Sequence, residues 1–339
     1  MAFTLPTHFY SHQWTFLPAL PKGPFLKDKT VIISGSNSGV GLEATKQLAT
    51  YSPSRLILAV RSLDSGEKVA KSLRVSHPGV QIEAWFLDLN DIQSVKDFAV
   101  KAEGLDRLDV LINNAGINPG IDPVPLKLTK DGYERTLQTN VLSTLLLTLL
   151  LEPLLTRTSH IAGAGTPVVV FVGSDIHFIG DHTPILDAIN SGTSLIAVLN
   201  DKENYENAKR YGVSKVLLQM VTRSLIQALP HLRIINTNPG LSRTNIGREL
   251  QMKMSLSMIR MIIWFISNSR SAYSGAKNIT TAVVNSTDSV DYWSECTPSP
   301  SENTFLATGE GYRATKFAFK QISAECEKIA PGCTAGLSF

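Results

Sequence analysis

Cysteine is scarce in this chain: Cys296, Cys326 and Cys333 are the only three among 339 residues, and all fall in its last part. None has the paired spacing of a zinc site or a disulfide framework, so the thiols are read as reduced and incidental and no metal site is expected. A large charge of one sign is lacking too. The formal net charge is +3, and no basic run with interleaved aromatics occurs, which argues against nucleic acid as a partner. Residues 1–29 carry Phe9, Trp14, Phe16 and Phe25 among prolines but lack the basic start and continuous apolar stretch of a secretory signal. They are expected to form an ordered arm on the outside of the domain. Without such a signal, Asn278-Ile-Thr and Asn285-Ser-Thr read as ordinary helix residues rather than glycosylation acceptors. Long hydrophobic runs are also missing: 145–151 stops at Glu152-Pro153, and 254–266 is interrupted by Ser255, Ser257 and Arg260. Neither makes a membrane span, so the expected location is the cytoplasm, with peripheral attachment to a membrane left open.

What the chain does have is apolar substance for a large core, 43% of its residues, and a strand-helix alternation that does not restart, hence one domain. Short apolar or β-branched runs occur at 30–34, 55–60, 81–87, 108–112, 168–172 and 232–237, each separated from the next by room for a helix. Near-continuous apolar strands joined by helices imply a parallel sheet covered on both faces. The expected fold is therefore a doubly wound α/β sheet of Rossmann type: a single dinucleotide-binding catalytic domain over 30–290, with a C-terminal extension, 291–339, packed on it. In such a sheet the ligand lies beyond the carboxyl ends of the strands. The candidate motifs fall there: 35–41 after the first strand, Asp88 after the third, Asn113-Asn-Ala-Gly116 after the fourth, Ser174 after the fifth, and Pro239-Gly240 after the sixth.

Ser34-Gly-Ser-Asn-Ser-Gly-Val-Gly41 puts three glycines where a backbone must turn sharply, approach a pyrophosphate and let a helix sit on its strand. The helix N-terminus then offers free N–H groups to the phosphates. Gly35, Ser36, Asn37, Gly39, Val40 and Gly41 are accordingly the candidate phosphate-binding residues; the bland alternative is a glycine turn that binds nothing. Arg61 follows the second strand, where NAD-specific folds carry an acidic residue. With Ser62 beside it, a 2′-phosphate would meet a cation and a hydroxyl, which favours NADP(H) over a merely solvated arginine. Tyr211-Gly-Val-Ser-Lys215 leads into a long amphipathic helix, and residues four apart on a helix share a face. A phenol and an ammonium so placed reach one substrate oxygen together, which is the equipment of a proton-transferring oxidoreductase.

Taken in this order, the glycine loop, the Asn-Asn-Ala-Gly turn and the Tyr-x-x-x-Lys pair resemble the short-chain dehydrogenase/reductase family, in particular its retinol-dehydrogenase-like and fungal secondary-metabolite branches, from Lys27 to Ile329. The resemblance implies that Tyr211 is the general acid or base, that Ser174 polarises the substrate oxygen, and that Lys215 holds the nicotinamide ribose and lowers the phenol pKa. It implies that Asn140, in Thr139-Asn-Val141, kinks its helix and holds a proton-relay water. It further implies that Asp88 accepts from the adenine amine, that Asn114 contacts the cofactor while Asn113 is structural, and that Pro239, Gly240 and Thr244 belong to the loop holding the nicotinamide carboxamide. The bland alternatives are helix capping for Asp88, though Asn90 and Asp91 are better placed, chance polar placement for Asn140, and a strand-ending turn for the last loop. Bringing a phenol from about 10 to neutrality takes about 4 kcal/mol. A cation about 4 Å away at an effective dielectric of about 20 supplies about that much.

Tyr205-Glu-Asn-Ala-Lys209 has the same spacing but lies in the charged run 201–210, read as solvent-exposed, so Tyr211 is preferred. Ser174 and Tyr211 stand further apart than is usual in the family, which implies an insertion over about 178–203 that overhangs the site. Asp175 and His177 do not complete a hydrolase triad with Ser174, since the Gly-x-Ser-x-Gly elbow is absent there. Residues 254–266, within a segment of about 245–268, are either a core helix or a lid over an apolar substrate. The expected function is NADPH-dependent interconversion of a carbonyl and a secondary alcohol on a hydrophobic small molecule, as in secondary-metabolite biosynthesis. A non-redox isomerase or cyclase on the same fold, and an NADPH-binding regulatory protein without turnover, are the alternatives. The apolar run 145–151 is also a candidate homodimer face.

Overall fold

The structure, a computed structural model, describes residues 13–120, 124–243, 267–301 and 303–338. Eight strands, β1 (Thr30–Ser34), β2 (Arg55–Val60), β3 (Gln81–Phe86), β4 (Val110–Asn113), β5 (Val168–Val172), β6 (Arg233–Thr237), β7 (Val290–Ser294) and β8 (Thr297–Pro298), make one sheet. Their order is β3-β2-β1-β4-β5-β6-β7-β8, parallel throughout except for the closing β7–β8 pair. Side chains alternate across the strands, so Val31 and Ile33 join one apolar layer and Ile32 the other. Helices Gly39–Ala49, Leu63–Ser76 and Ala272–Val284 cover one face; Ile92–Glu103, Ser143–Ser159, Asn207–Ala228 and Gly309–Ile329 cover the other. Because β1 sits between β2 and β4, the connections leave it in opposite directions, and a crevice opens above the carboxyl ends of β1 and β4.

The expected strands are present, with shifted ends. The fourth begins at Val110 rather than Leu108 because its entry is held by side chains: Leu108 N–H donates to Thr158 Oγ1 at 2.8 Å, and Asp109 Oδ2 accepts from Thr30 N–H at 2.9 Å. Asp91 caps the helix Ile92–Glu103 by accepting from Gln93 and Ser94 N–H groups, which leaves Asp88 free of that task.

Three organisational expectations change. The boundary at residue 290 falls inside the sheet, since β7 pairs with β6 and the C-terminal helix Gly309–Ile329 buries Ala314, Ala318, Phe319, Ile322 and Cys326 in the main core. It is a layer of the domain, not an addition to its outside. That helix also lies on Ser143–Ser159, where Leu145, Leu146, Leu147, Leu149 and Leu151 are buried. The candidate dimer face is thus used within the chain, and the stretch Arg135–Ser159, long and apolar enough to cross a membrane, is mostly buried. The insertion 178–203 forms helices Thr183–Ser191 and Leu195–Leu199, whose Ile185, Ala188, Leu195, Ile196 and Leu199 enter the same core against the C-terminal helix. Its apolar face is turned into the protein, and at its start Gly180 packs against Gly212, next to Tyr211. Thr244 and the candidate lid residues 245–266 lie outside the described residues. Of the arm, Leu17 and Leu26 are buried, and Lys277 Nζ donates to the Pro18 carbonyl at 2.9 Å.

Candidate active site

Ser34 ends β1 and holds the floor of the crevice. Its hydroxyl accepts from the N–H groups of Asn114 and Ala115, both at 3.0 Å, and donates to the Ile112 carbonyl at 3.3 Å. Asn114 Nδ2 returns the contact, donating to the carbonyls of Ser34 at 2.8 Å and Gly35 at 3.2 Å. A Cβ at Gly41 would collide with the Gly35 carbonyl and the Asn114 amide, so only glycine lets helix, loop and fourth strand meet here. Asn114 therefore acts first on the loop itself, while Asn113 Nδ2 donates to Thr148 Oγ1 at 3.0 Å inside the core.

The loop fits a phosphate group. Ser38, the residue before Gly39–Ala49, makes no side-chain cap, so the first-turn N–H groups of Gly39, Val40 and Gly41 keep no side-chain partner at that position. Ser36 is fully buried and its Oγ has no hydrogen-bond partner among the described residues, which leaves the hydroxyl open to a ligand. The Val40 side chain belongs to the core, leaving only its backbone for binding. Asn37 Nδ2 donates to Ser65 Oγ at 3.1 Å, joining the glycine loop to the first turn of the helix Leu63–Ser76, which follows the exposed Arg61. Asp88 Oδ1 accepts from Asn90 N–H at 2.9 Å and from Asn90 Nδ2 at 3.3 Å.

Across the crevice, the helix Asn207–Ala228 brings up Tyr211 and Lys215. Lys215 is buried and Nζ donates to the Val172 carbonyl at the end of β5, 2.8 Å away. Burial lowers its pKa to about 8. Tyr211 is half-buried; desolvation pushes its phenol up to about 12, opposed by the hydroxyl of Ser174, which lies close enough to favour the phenolate. The expected depression of the phenol is thus not present in the protein alone. The lysine is engaged with a carbonyl, and burial dominates.

Asn140 sits in a π-helical turn, Gln138–Leu142, which breaks the regular ladder ahead of Ser143–Ser159. Its Oδ1 accepts from Ile117 N–H and its Nδ2 donates to the Ile117 carbonyl and to Ser214 Oγ, each at 2.9 Å. Ser214 in turn donates to the Tyr211 carbonyl at 2.7 Å. The asparagine thus supports the tyrosine's turn of helix, and Gly116 lies between it and Lys215: a Cβ there would be 3.2 Å from Asn140 Oδ1 and 3.9 Å from Lys215 Nζ.

Ser174 starts the 3-10 turn Asp175–Phe178 and accepts from Ile176 N–H at 3.3 Å. Preceding Gly173 is required because a Cβ would run into Asn236. Asp175 and His177 are committed elsewhere. Asp175 accepts from Tyr292 and Asn238, and His177 Nδ1 lies 2.6 Å from the Ser174 carbonyl, its pKa lowered by burial to about 4. A neutral, inward-held imidazole makes no triad. Gly240 adopts φ +70°, and its N–H donates to Asn238 Oδ1 at 2.9 Å, so Asn238 links the loops after β5 and β6.

Tyr205 is not on the helix that carries Tyr211, which begins at Asn207. It is half-buried rather than exposed, donates to Asn207 Oδ1 at 2.8 Å, and lies under the Arg210 guanidinium, 4.9 Å from its ring centroid. Arg210 is itself buried, 3.9 Å from Glu134, so the run 201–210 is less solvated than its charges suggested. Sequence reasoning missed Gln13, Asn238, Arg270 and Tyr292, which brace the loops after β5 and β6 from far along the chain.

Comparison with known proteins gives a consistent answer. The family model described as short chain dehydrogenase matches residues 29–181. The short chain dehydrogenase sol3 of Alternaria solani is 34% identical over 242 residues, covering 71% of this chain and 81% of that protein. The short chain dehydrogenase/reductase dmxR8 of Cryptosporiopsis is 30% identical, covering 96% of this chain and 98% of the relative. Among solved structures, a short chain dehydrogenase of Shigella flexneri 2a complexed with NADP shares the fold with a TM-score of 0.56 at 19% identity, covering 79% of this chain and 97% of that one.

Proposed function

Since the chain belongs to the short-chain dehydrogenase/reductase family of NAD(P)-dependent oxidoreductases, we propose that it interconverts a carbonyl and a secondary alcohol on a hydrophobic small molecule, with NADP(H) as cofactor. The observation that carries this reading is the meeting of Tyr211, Ser174 and Lys215 at one end of a crevice whose other end is the uncapped glycine-loop helix. Bound NADP(H) supplies or accepts the hydride. NADP(H) rather than NAD(H) is favoured by Arg61, exposed beside the Asn37–Ser65 contact, in keeping with the NADP in the Shigella structure.

The protein's own part is proton transfer and charge. In reduction, the Tyr211 phenol, pushed up to about 12, is protonated at physiological pH and can donate to the substrate oxygen. Ser174 donates a hydrogen bond to the same oxygen and so stabilises the negative charge developing there. Lys215, protonated below about 8, stabilises the phenolate that remains. Oxidation asks the reverse: the phenol must lose its proton first, so the nearby positive charge has to outweigh the burial that raises it. Asn140 keeps Ser214 and Ile117 in place behind this group. A role in secondary-metabolite biosynthesis is part of the proposal, supported by the likeness to fungal relatives.

The test is incubation with NADPH and a panel of bulky apolar ketones, following absorbance of the reduced nicotinamide and product together. Oxidation stoichiometric with alcohol formation is expected. Product without net oxidation would replace the reading by isomerisation, and NADPH binding with no product from any ketone would count against an enzyme of this reaction class.

A further inference from the structure

Gln13 belongs to the N-terminal arm, yet only 6% of it is exposed. Its side-chain amide engages both backbone groups of Leu241: Nε2 donates to the carbonyl at 2.7 Å, and Oε1 accepts from the N–H at 2.9 Å. This is the pairing a neighbouring strand would make, provided here by one planar amide. Arg270 completes the arrangement. Its Nε donates to the Gln13 carbonyl at 3.1 Å, and its backbone N–H donates to the same Leu241 carbonyl at 2.8 Å. A Cβ at Gly240 would come within 3.1 Å of both Gln13 Oε1 and Arg270 Nη1, so loop, glutamine and arginine are in close contact. On the opposite side, Asn238 Oδ1 accepts from Gly240 N–H at 2.9 Å. The loop 239–243 is thus gripped from within by Asn238 and from without by Gln13.

The position of that loop gives the grip a consequence. The glycine loop follows β1 and Arg61 follows β2, so a dinucleotide whose phosphates lie on them extends the other way, across β4 toward β5 and β6. Residues 239–243 follow β6 and stand beside the Ser174 loop, to which Asn238 ties them. We propose that Gln13 is a positioning residue for the nicotinamide end of the cofactor, acting through the backbone of Leu241. The inference rests on the cofactor reading above. Without the glutamine amide, Leu241 N–H loses its partner while its carbonyl keeps the Arg270 N–H, so the loop is released on one side only.

Binding of two probes to wild type and to Gln13→Ala tests this: NADPH, and 2′-phospho-ADP-ribose, which has the adenosine and phosphates but no nicotinamide. Gln13→Ala should raise the Kd for NADPH roughly fivefold to tenfold and leave that for 2′-phospho-ADP-ribose within error. Equal weakening of both probes, or no change in either, would overturn the proposal by making the contact a general prop of the fold. Gln13→Leu keeps most of the side-chain volume and the Arg270 contact on the residue-13 carbonyl while removing both the donor and the acceptor that meet Leu241. It should show the same selective loss for NADPH, including where the alanine variant melts too low to titrate. Failure of wild type to bind either probe would strike the cofactor reading itself, a different outcome from failure of the Gln13 effect.

Discussion

Lys215 stands one helical turn beyond Tyr211 with its Nζ 5.6 Å from the centroid of the phenol ring, and it spends a hydrogen bond on the Val172 carbonyl, 2.8 Å away. In the protein alone the two groups are therefore pushed apart from the values catalysis needs in the oxidation direction. Burial raises the phenol to about 12 and lowers the ammonium to about 8.

The lysine shift has a sign that can be measured. The folded protein holds the Lys215 proton only below about 8, whereas the unfolded chain holds it up to its ordinary value of 10.5. NADPH affinity should fall as pH rises from 7 through about 8 and 9, as the ammonium is lost, and Lys215→Met should bind weakly and show no such slope. Unfolding takes up a proton between those two values, so this residue's contribution to stability rises with pH across the window, and the stability advantage of Lys215→Met should shrink there. A titration of NADPH by fluorescence at several pH values, with melting curves of both proteins, reads each slope; parallel slopes in the two proteins would contradict the assignment.

Cofactor choice rests on Arg61. Arg61→Ala should weaken NADPH by roughly ten- to a hundredfold, the range of about 1.5–3 kcal/mol for a charge-assisted contact, with much less effect on NADH. Equal weakening of the two cofactors would mean that the guanidinium does not read the 2′-phosphate.

At Gly41 the crevice has no room for a side chain, since the carbonyl of Gly35 and the amide of Asn114 occupy the place of a Cβ. Gly41→Ala should displace the loop, lower stability by about 1–3 kcal/mol, and weaken NADPH more than tenfold. Binding at wild-type strength would show that the phosphates do not lie on this loop.

The insertion should behave as core. Leu199 is fully buried among the residues under the C-terminal helix, so Leu199→Ala should destabilise by about 2–5 kcal/mol while leaving NADPH affinity unchanged below the melting transition. A shift in substrate preference with no change in melting temperature would return this segment to the role of an overhang.

The sheet and the crevice at the carboxyl ends of its strands were legible because parallel strands buried on both faces write themselves as apolar runs, and because glycine at 35, 39 and 41 and the Tyr-x-x-x-Lys spacing act locally. The use of the insertion and of the C-terminal helix was not. Amphipathic helices declare an apolar face but not what covers it, and Ile185, Leu199 and Phe319 meet only in the folded protein. The exposed reading of Tyr205 failed for the same reason, since the charges around it include the buried Arg210 and its partner Glu134, far away in sequence. Gln13 leaves no local signal at all, because its partner, Leu241, is 228 residues away.

The central claim is that the Tyr211 phenol, not that of Tyr205, transfers the proton. Steady-state kinetics of Tyr211→Phe and Tyr205→Phe against one working ketone, with NADPH titration alongside, test it most directly. Tyr211→Phe should fold, bind NADPH, and lose roughly two to four decades of turnover, while Tyr205→Phe, which loses only a hydrogen bond to Asn207, should turn over almost as wild type does. Near-normal turnover in Tyr211→Phe, or a collapse in Tyr205→Phe instead, would contradict the account.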